Sequence, residues 1–141
     1  MNIALALILH PTNGTVLIAQ RKDGVHKAGF WEFPGGKCLD GETPADCAVR
    51  ETREETGLEV AILEAWPMLT HEYPERTIVL HPFLCRARSG DAQPRESKQV
   101  VWVRLEQLDD YHFPEANALI LARLRSNHEG LLANGINLPF Q

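Results

Sequence analysis

Three glutamates, Glu51, Glu54 and Glu55, lie within a span of five residues in the run RETREETGL. On an α-helix, which turns about 100° per residue, the second and third side chains fall about 60° and about 40° to either side of the first. All three therefore share one helix face. Carboxylate oxygens grouped in this way suit Mg²⁺ or Mn²⁺, usually together with substrate phosphates.

The same three carboxylates also fit an exposed acidic helix face that binds no metal. Two physical costs disfavour that interpretation. The glutamates lie in the last turns of the predicted helix, where the helix dipole opposes negative charge. Like charges three or four residues apart also repel by roughly 0.2–0.5 kcal/mol per pair. A bound divalent cation would remove both costs, so the run favours a metal site.

The helix that carries these glutamates has clear boundaries in the sequence. Thr43 suits the N-cap, Pro44 suits the first helical position, and Gly57 suits the C-terminal stop. A helix is therefore predicted over residues 44–56. A neighbouring arc of small or apolar residues predicts the face that packs on the core: Ala45, Ala48, Val49, Thr52 and Thr56.

The rest of the chain predicts strands on both sides of this helix. Strands are predicted at 3–9 and 15–21, which form a hairpin, and at 59–70 with a break at Pro67, 77–88 and 99–103. A short aromatic stretch at 30–33 is predicted to stop at Pro34, Gly35 and Gly36, and a second helix is predicted over 114–125. This order predicts an α/β fold, with helices packed on a mixed sheet, in one domain over residues 1–141.

Charge and composition exclude several classes of function. The formal net charge of −5 argues against a protein that binds nucleic acid polymers. Three cysteines without C-x-x-C spacing argue against a disulfide framework or a zinc site and indicate a reducing compartment. The opening MNIALALILHP has no basic start and is too short for a membrane helix. We therefore expect a cytoplasmic protein without a membrane partner, and we expect a monomer.

Residues 36–58, GKCLDGETPADCAVRETREETGL, resemble the Nudix box. That pattern reads Gly, five residues, Glu, seven residues, Arg-Glu, an apolar position, any residue, Glu-Glu, any residue, Gly and an apolar position. The residues that match in register are Gly36, Glu42, Arg50, Glu51, Glu54, Glu55, Gly57 and Leu58. One position departs, because Thr52 stands where the family usually has an aliphatic residue, and we expect this to affect stability slightly.

The resemblance to the Nudix family implies an α/β/α sandwich and the Mg²⁺-dependent cleavage of a nucleoside diphosphate linked to another group. Mn²⁺ is the alternative metal. By the same resemblance, Glu51 is also a candidate base toward the attacking water, and Arg50 would orient a glutamate through a charge-assisted hydrogen bond. The residues implied for the metal site are Gly35, Gly36, Glu51, Glu54, Glu55 and Glu96.

Beyond the box, the chain resembles the MutT-like 8-oxo-dGTP diphosphatases of that family over residues 3–125. The matching segments are Arg21, WEFPGGK at 31–37, GETP at 41–44, EYPER at 72–76 and FPEAN at 113–117. This resemblance implies that Arg21 and Phe33 line the nucleotide pocket, that Asn117 reads the base, and that Glu96 assists catalysis near the metal. The implied partner is a small nucleotide, 8-oxo-dGTP, cleaved to 8-oxo-dGMP and pyrophosphate.

Each of these residues also fits an ordinary structural role. Phe33 suits a core, Arg21 a strand end, Glu96 a polar loop and Asn117 a helix start. Two other functions stay open as well: a Nudix pyrophosphatase for another nucleotide, such as a pyrimidine triphosphate or ADP-ribose, and a non-catalytic nucleotide-binding module. The intact F-P-x-A-N pattern argues against the first, and the complete glutamate set argues against the second.

Overall fold

The computed structural model describes residues 1–126, and within them eight strands form one sheet with helices packed against it. The strands are β1 (Asn2–Leu9), β2 (Thr15–Gln20), β3 (Trp31–Glu32), β4 (Gly35–Lys37), β5 (Val60–Ala65), β6 (Leu69–Glu72), β7 (Thr77–Ala87) and β8 (Gln99–Arg104). The helices are α1 (Pro44–Thr56) and α2 (Ala118–Ser126). Segment 127–141, for which the sequence predicts no element, lies outside the described residues.

The sheet is mixed, as the order of predicted elements indicated. The main path of neighbours is β3-β2-β1-β7-β5, while β4 pairs with β1, β6 with β7 and β8 with β2. Strands β1 and β7 run parallel. The β1–β2 pair is antiparallel, as expected for the predicted hairpin, and so are the other pairs within the described residues.

Strand β1 lies between two core layers, because successive side chains of a strand point to opposite faces of a sheet. On one face, the odd-numbered leucines join a core cluster with residues of α2: Leu5, Leu7, Leu9, Ile120 and Leu124. On the other face, smaller residues join a cluster with residues of α1: Ala4, Ala6, Ile8, Cys47 and Ala48. Both faces are therefore covered by helices, which confirms the α/β/α sandwich.

The break predicted at Pro67 is confirmed: β5 ends before this residue and β6 begins after it, because proline has no backbone N–H to donate to a ladder. One difference from the predicted elements has a local cause. The second helix begins later than predicted, because residues Glu115–Asn117 form a 3-10 turn in which the Asn117 N–H donates to the Pro114 carbonyl at 3.0 Å. The position of Asn117 is thus set by that turn.

The glycine pair is the second difference. Gly35 and Gly36 were predicted to end the aromatic stretch, yet they form β4 and pair antiparallel with Leu5 and Ala4 of β1. Glycine has a low strand propensity, so the composition of this stretch did not indicate a strand. Among the described helices, neither is long and apolar enough to cross a membrane.

Candidate active site

Helix α1 spans the predicted residues because both of its ends are capped. The Thr43 hydroxyl oxygen accepts a hydrogen bond from the Asp46 N–H at 3.1 Å. At the other end, Gly57 adopts φ +77° and its N–H donates to the Arg53 carbonyl at 2.9 Å. Left-handed backbone of this kind favours glycine. These caps fix the register in which the glutamates leave the helix.

The glutamate face of α1 lies beside the buried face of the helix. Its fully buried side chains are Cys47, Ala48, Thr52 and Thr56. Cys47 is the residue that the predicted core arc did not include; it is buried because the first turn of α1 packs on β4, where its thiol donates to the Gly36 carbonyl at 3.5 Å. Ala45 and Val49 of the predicted arc are half-buried.

Strand β4 brings its backbone directly against the α1 glutamates. A Cβ atom added to Gly36 would lie 2.5 Å from the Glu51 carboxyl carbon, and one added to Gly35 would lie 2.1 Å from the Ala4 carbonyl oxygen. Neither position has room for a side chain. The absence of side chains also lets the Gly35 N–H donate to Glu55 Oε2 at 3.0 Å.

Glu51, Glu55 and Glu96 converge on one point beside this glycine pair. Each offers a carboxylate oxygen, and these oxygens all lie within 4.8 Å of one another. Glu51 and Glu55 are half-buried on α1, whereas Glu96 is exposed on the loop between β7 and β8. An oxygen-only set of donors fits a hard divalent cation such as Mg²⁺ or Mn²⁺.

The electrostatics of the cluster also fit a cation. The pKa of Glu55 is raised to about 8, chiefly by burial and also by the nearby charges of Glu32, Glu51 and Glu96, against the lowering effect of the Gly35 N–H. Burial also raises the pKa of Glu51, against the lowering effect of Arg50. With its raised pKa, Glu55 holds a proton near neutral pH unless a cation replaces that proton.

Arg50 ties three carboxylates together at the rim of this cluster. Its Nε and Nη2 donate to the two Glu42 oxygens at 2.7 and 3.0 Å. Its Nη1 donates to Glu51 Oε1 and to Glu54 Oε2, both at 3.0 Å. The hydrogen bond from Arg50 is the main cause that lowers the pKa of Glu42 to about 2. Arg50 therefore holds Glu51 directly, and Glu42 holds the Arg50 guanidinium in place. The box pattern contains Glu42, but the sequence assigned it no role.

Glu54 is placed differently from the other two glutamates of the run. Its side chain is 49% exposed and turned toward Arg50, so it lies outside the group of three oxygens that converge. Because it is on the solvent side of the cluster, Glu54 is suited to meet a cation from the open side of the site.

Two of the residues assigned to the nucleotide pocket, Phe33 and Asn117, lie on the α2 side of the sheet. Phe33 is 2% exposed and stacks on Phe113, with ring centroids 5.1 Å apart and 29° between the planes. Asn117 is buried, and its side-chain nitrogen donates to the Pro114 carbonyl at 3.5 Å. Phe33 and Asn117 are thus connected through the segment that contains Phe113, at the N-terminal end of α2.

Arg21 is engaged at the edge of this region. Its Nη1 donates to Glu32 Oε1 at 2.9 Å and its Nε donates to the His26 carbonyl at 2.7 Å. The sequence predicted no role for Glu32, although its charge helps to raise the pKa of Glu55. Nothing in the residue types around Glu32 marks it, because the contact with Arg21 depends on the pairing of β2 with β3.

Comparisons with known proteins were made on the whole chain. The family model described as NUDIX domain matches residues 4–123. The 8-oxo-dGTP diphosphatase of Escherichia coli (strain K12) is 34% identical over 125 residues, which cover 89% of this chain and 96% of that protein. The CTP pyrophosphohydrolase of the same organism is 34% identical over 109 residues, 77% of this chain and 81% of that protein.

The fold of the chain is also similar to that of a solved structure. The chain is similar to a MutT structure from work on the proteins of Aliivibrio salmonicida and Vibrio cholerae. The TM-score is 0.67 and the sequence identity is 30%, with 89% of this chain and 97% of that chain covered.

Proposed function

Because the chain belongs to the NUDIX domain family and is similar to 8-oxo-dGTP diphosphatases, we propose that it is a Mg²⁺-dependent pyrophosphohydrolase of 8-oxo-dGTP. The reaction takes 8-oxo-dGTP and water to 8-oxo-dGMP and pyrophosphate, which removes an oxidised nucleotide from the DNA precursor pool. The relatives named 8-oxo-dGTP diphosphatase support this choice of substrate. The free cysteines Cys38, Cys47 and Cys85 suit a protein that acts in the cytoplasm.

The convergence of Glu51, Glu55 and Glu96 beside Gly36 is the observation that carries this proposal. We propose that these carboxylates hold the metal, with Glu54 and the backbone of Gly35 and Gly36 bordering it. When bound, Mg²⁺ would supply charge neutralisation for the phosphates and would acidify a bound water.

Glu51 is proposed as the proton acceptor. Arg50 donates to its Oε1, which leaves Oε2 to take a proton from the attacking water. Burial raises the pKa of Glu51, against the lowering effect of Arg50, and a higher pKa makes a carboxylate a stronger base. Arg50 keeps the carboxylate oriented, because its guanidinium is itself held by two hydrogen bonds to Glu42.

The nucleotide is proposed to bind with its base near Phe33 and Asn117 and with Arg21 at the edge of the pocket. Guanine has acceptors at N7 and O6, and oxidation at C8 puts a hydrogen on N7. The Asn117 amide can accept from that new N–H and donate to O6. With normal guanine its oxygen would face a lone pair. The hydrogen bond of Asn117 to Pro114 is long, at 3.5 Å, so it is readily exchanged for one to a base.

A second candidate substrate is a pyrimidine triphosphate. The observation that favours it is the 34% identity to a CTP pyrophosphohydrolase, equal to the identity with the 8-oxo-dGTP diphosphatase of the same organism. The two matches differ in coverage: the match to the 8-oxo-dGTP diphosphatase extends over 125 residues and the match to the CTP pyrophosphohydrolase over 109. The clustered glutamates would serve either reaction, so the residues around the base would decide between the two substrates.

One assay separates these functions. The protein is incubated with Mg²⁺ and, in parallel, with 8-oxo-dGTP, dGTP, CTP, dCTP and ADP-ribose, and the release of pyrophosphate, phosphate and nucleoside monophosphate is measured. We expect the highest kcat/KM for 8-oxo-dGTP, with pyrophosphate as a product. The highest kcat/KM on CTP or dCTP would favour the second candidate. Binding of nucleotides without turnover on any substrate would indicate a non-catalytic module and would contradict the proposal.

A further inference from the structure

The loop that carries Glu96 is fastened to the C-terminal end of α1. The Gln93 N–H donates to the Thr56 carbonyl at 2.9 Å, and the Arg95 N–H donates to the Glu55 carbonyl at 3.0 Å. The last carbonyls of a helix have no partner within the helix, so they are free to accept such bonds. Glu55 therefore contacts this loop through its backbone while its side chain faces Glu96.

The Arg95 side chain makes a third contact with the same helix end. Its Nη1 donates to the Arg53 carbonyl at 3.3 Å. The guanidinium fills the space that Gly57 leaves open, since a Cβ atom added to Gly57 would lie 2.9 Å from Arg95 Cζ. A cation at the C-terminal end of a helix is also favoured by the helix dipole. Backbone and side chain of Arg95 thus hold the loop at one point.

These contacts matter because the part of the loop around Glu96 is exposed. Ala92 packs against the core cluster that includes residues of α1, and the Lys98 N–H donates to the Gln20 carbonyl at 2.9 Å. Between these two anchored positions, Gln93, Pro94, Arg95 and Glu96 are all exposed. A segment with few buried contacts opens at low cost in free energy, and its position depends on its hydrogen bonds. Glu96 is the residue next to Arg95, so the place where Arg95 docks sets where the Glu96 carboxylate can reach.

We propose that Arg95 is a positioning residue that sets Glu96 beside Glu51 and Glu55 by docking the loop on the end of α1. This inference rests on the proposed metal site, and it adds to that site a residue that is neither a ligand nor a contact of the substrate. A purely structural role is the competing explanation, in which Arg95 only stabilises the end of the helix.

The test compares Arg95→Ala and Arg95→Lys with a matched control, Arg53→Ala. Arg53 is also a cation of the last turn of α1, but its guanidinium pairs with Glu59 and not with the loop. Each variant is freed of metal and titrated with Mn²⁺, and the free ion is followed by electron paramagnetic resonance. Thermal unfolding of the metal-free proteins and steady-state kinetics with 8-oxo-dGTP are measured on the same preparations.

We expect Arg95→Ala to weaken Mn²⁺ binding by about ten- to a hundredfold, as for residues that orient metal ligands from behind. We expect Arg95→Lys to recover most of that loss, because an ammonium reaches the same carbonyl. Arg53→Ala should bind Mn²⁺ with an affinity within about twofold of wild type. This should hold even if its melting temperature falls as much as that of Arg95→Ala. If Arg95→Ala lowers the melting temperature and leaves Mn²⁺ binding unchanged, the positioning role is wrong and the structural explanation holds.

Glu96→Gln and the double variant Glu96→Gln/Arg95→Ala complete the cycle. If Arg95 acts through Glu96, the double variant binds Mn²⁺ no more weakly than Glu96→Gln alone, because groups that act as one unit are not additive. Losses that multiply would overturn the inference while leaving the metal site in place. A wild-type protein that hydrolyses no nucleotide and binds no Mn²⁺ would instead overturn the proposed function, and the inference with it.

Discussion

At the scale of single residues, the three glutamates of α1 lie in three different environments. Glu55 accepts from the Gly35 N–H at 3.0 Å, and burial raises its pKa to about 8. Glu51 has a side chain that is 14% exposed and is held by Arg50. Glu54 is 49% exposed and is turned toward Arg50 as well. Replacing each glutamate in turn should therefore have a different effect on the site.

We expect Glu55→Gln to lower kcat by about 10²–10³-fold, since a metal at phosphate contributes several kcal/mol and each 1.36 kcal/mol is tenfold. Glu54→Gln should also lower kcat by orders of magnitude. Without metal, Glu55→Gln should not melt below wild type, because it removes a carboxyl group whose charge burial disfavours. Rates at saturating Mg²⁺ and thermal unfolding measure both effects, with Glu64→Gln, which breaks a remote pair with Arg123, as control. Wild-type rates in both variants would contradict the metal site.

A second prediction ranks Glu51 against Glu96. If Glu51 is both ligand and proton acceptor, Glu51→Gln should be the most damaging single replacement. Glu96 is exposed and comes from a loop, so Glu96→Gln should cost less. Steady-state rates of the two variants at saturating Mg²⁺ give the order, and a larger loss for Glu96→Gln would assign the proton transfer to Glu96 instead.

The third prediction concerns how Asn117 discriminates between bases. A mispaired polar group in a buried site costs about 1–3 kcal/mol, or roughly ten- to a hundredfold. We expect Asn117→Ala to lower kcat/KM for 8-oxo-dGTP by that factor, with a much smaller effect on dGTP and an unchanged affinity for Mg²⁺. Parallel kinetics on the two nucleotides check this. Equal losses on both would show that another residue reads the base.

At the scale of secondary structure, α1 combines capped ends with an unpaired hydroxyl group on its packed face. Thr52 is fully buried, and within the described residues its hydroxyl oxygen has no hydrogen-bond partner. The Thr52 methyl group still packs in the core. The Thr56 hydroxyl, in contrast, is paired, because it donates to the Thr52 carbonyl at 2.7 Å. Thr52 is also the one position of the box that departs from the family pattern.

We therefore expect Thr52→Val to stabilise the protein. The replacement keeps the shape of the side chain and removes a buried unpaired hydroxyl, which costs about 1–3 kcal/mol. For a chain of this length, a gain of about 1 kcal/mol raises the melting temperature by roughly 3–5 °C. Thermal unfolding measures the gain, and kcat should stay within about twofold because Thr52 faces the core rather than the site. A lower melting temperature would mean that the hydroxyl is satisfied in solution.

At the scale of the whole molecule, the carboxylate cluster is formed by three parts of the chain. The helix α1, the strand β4 and the loop that contains Glu96 are brought together by one sheet. The parallel pairing of β1 with β7 places the start of that loop next to the helix that packs on β1. The cluster thus includes two carboxylates, Glu51 and Glu55, whose charge burial disfavours, so folding without metal should depend on pH.

The folded pKa of Glu55 is about 8, above its ordinary value of 4.5. A raised pKa means that the folded state binds the proton more tightly than the unfolded state does. The stability it contributes is fully present below about pH 4.5 and is lost as the pH rises through about 8. We expect the metal-free protein to lose melting temperature over this window, more steeply than Glu55→Gln does. Mg²⁺ should restore more stability at pH 8 than at pH 6, and parallel slopes for the two proteins would contradict the assignment.

The sequence by itself determined α1 and its chemistry. Thr43, Pro44 and Gly57 act on their immediate neighbours, and helical periodicity puts Glu51 and Glu55 on one face without help from the rest of the fold. Caps and periodicity are local, so they are legible in the order of residues. The helical spacing of the glutamates favoured a carboxylate site, and the resemblance of residues 36–58 to the Nudix box implied the fold.

Only the tertiary structure decided what surrounds those glutamates. The convergence of Glu96 with Glu51, the pairing of Gly36 with β1 and the docking of Arg95 on α1 join residues that are far apart in the chain. Such contacts depend on the order of strands in the sheet and on which helix covers each face. Burial is decided in the same way, and it is burial that distinguishes the pKa of Glu55 from that of an exposed helix glutamate.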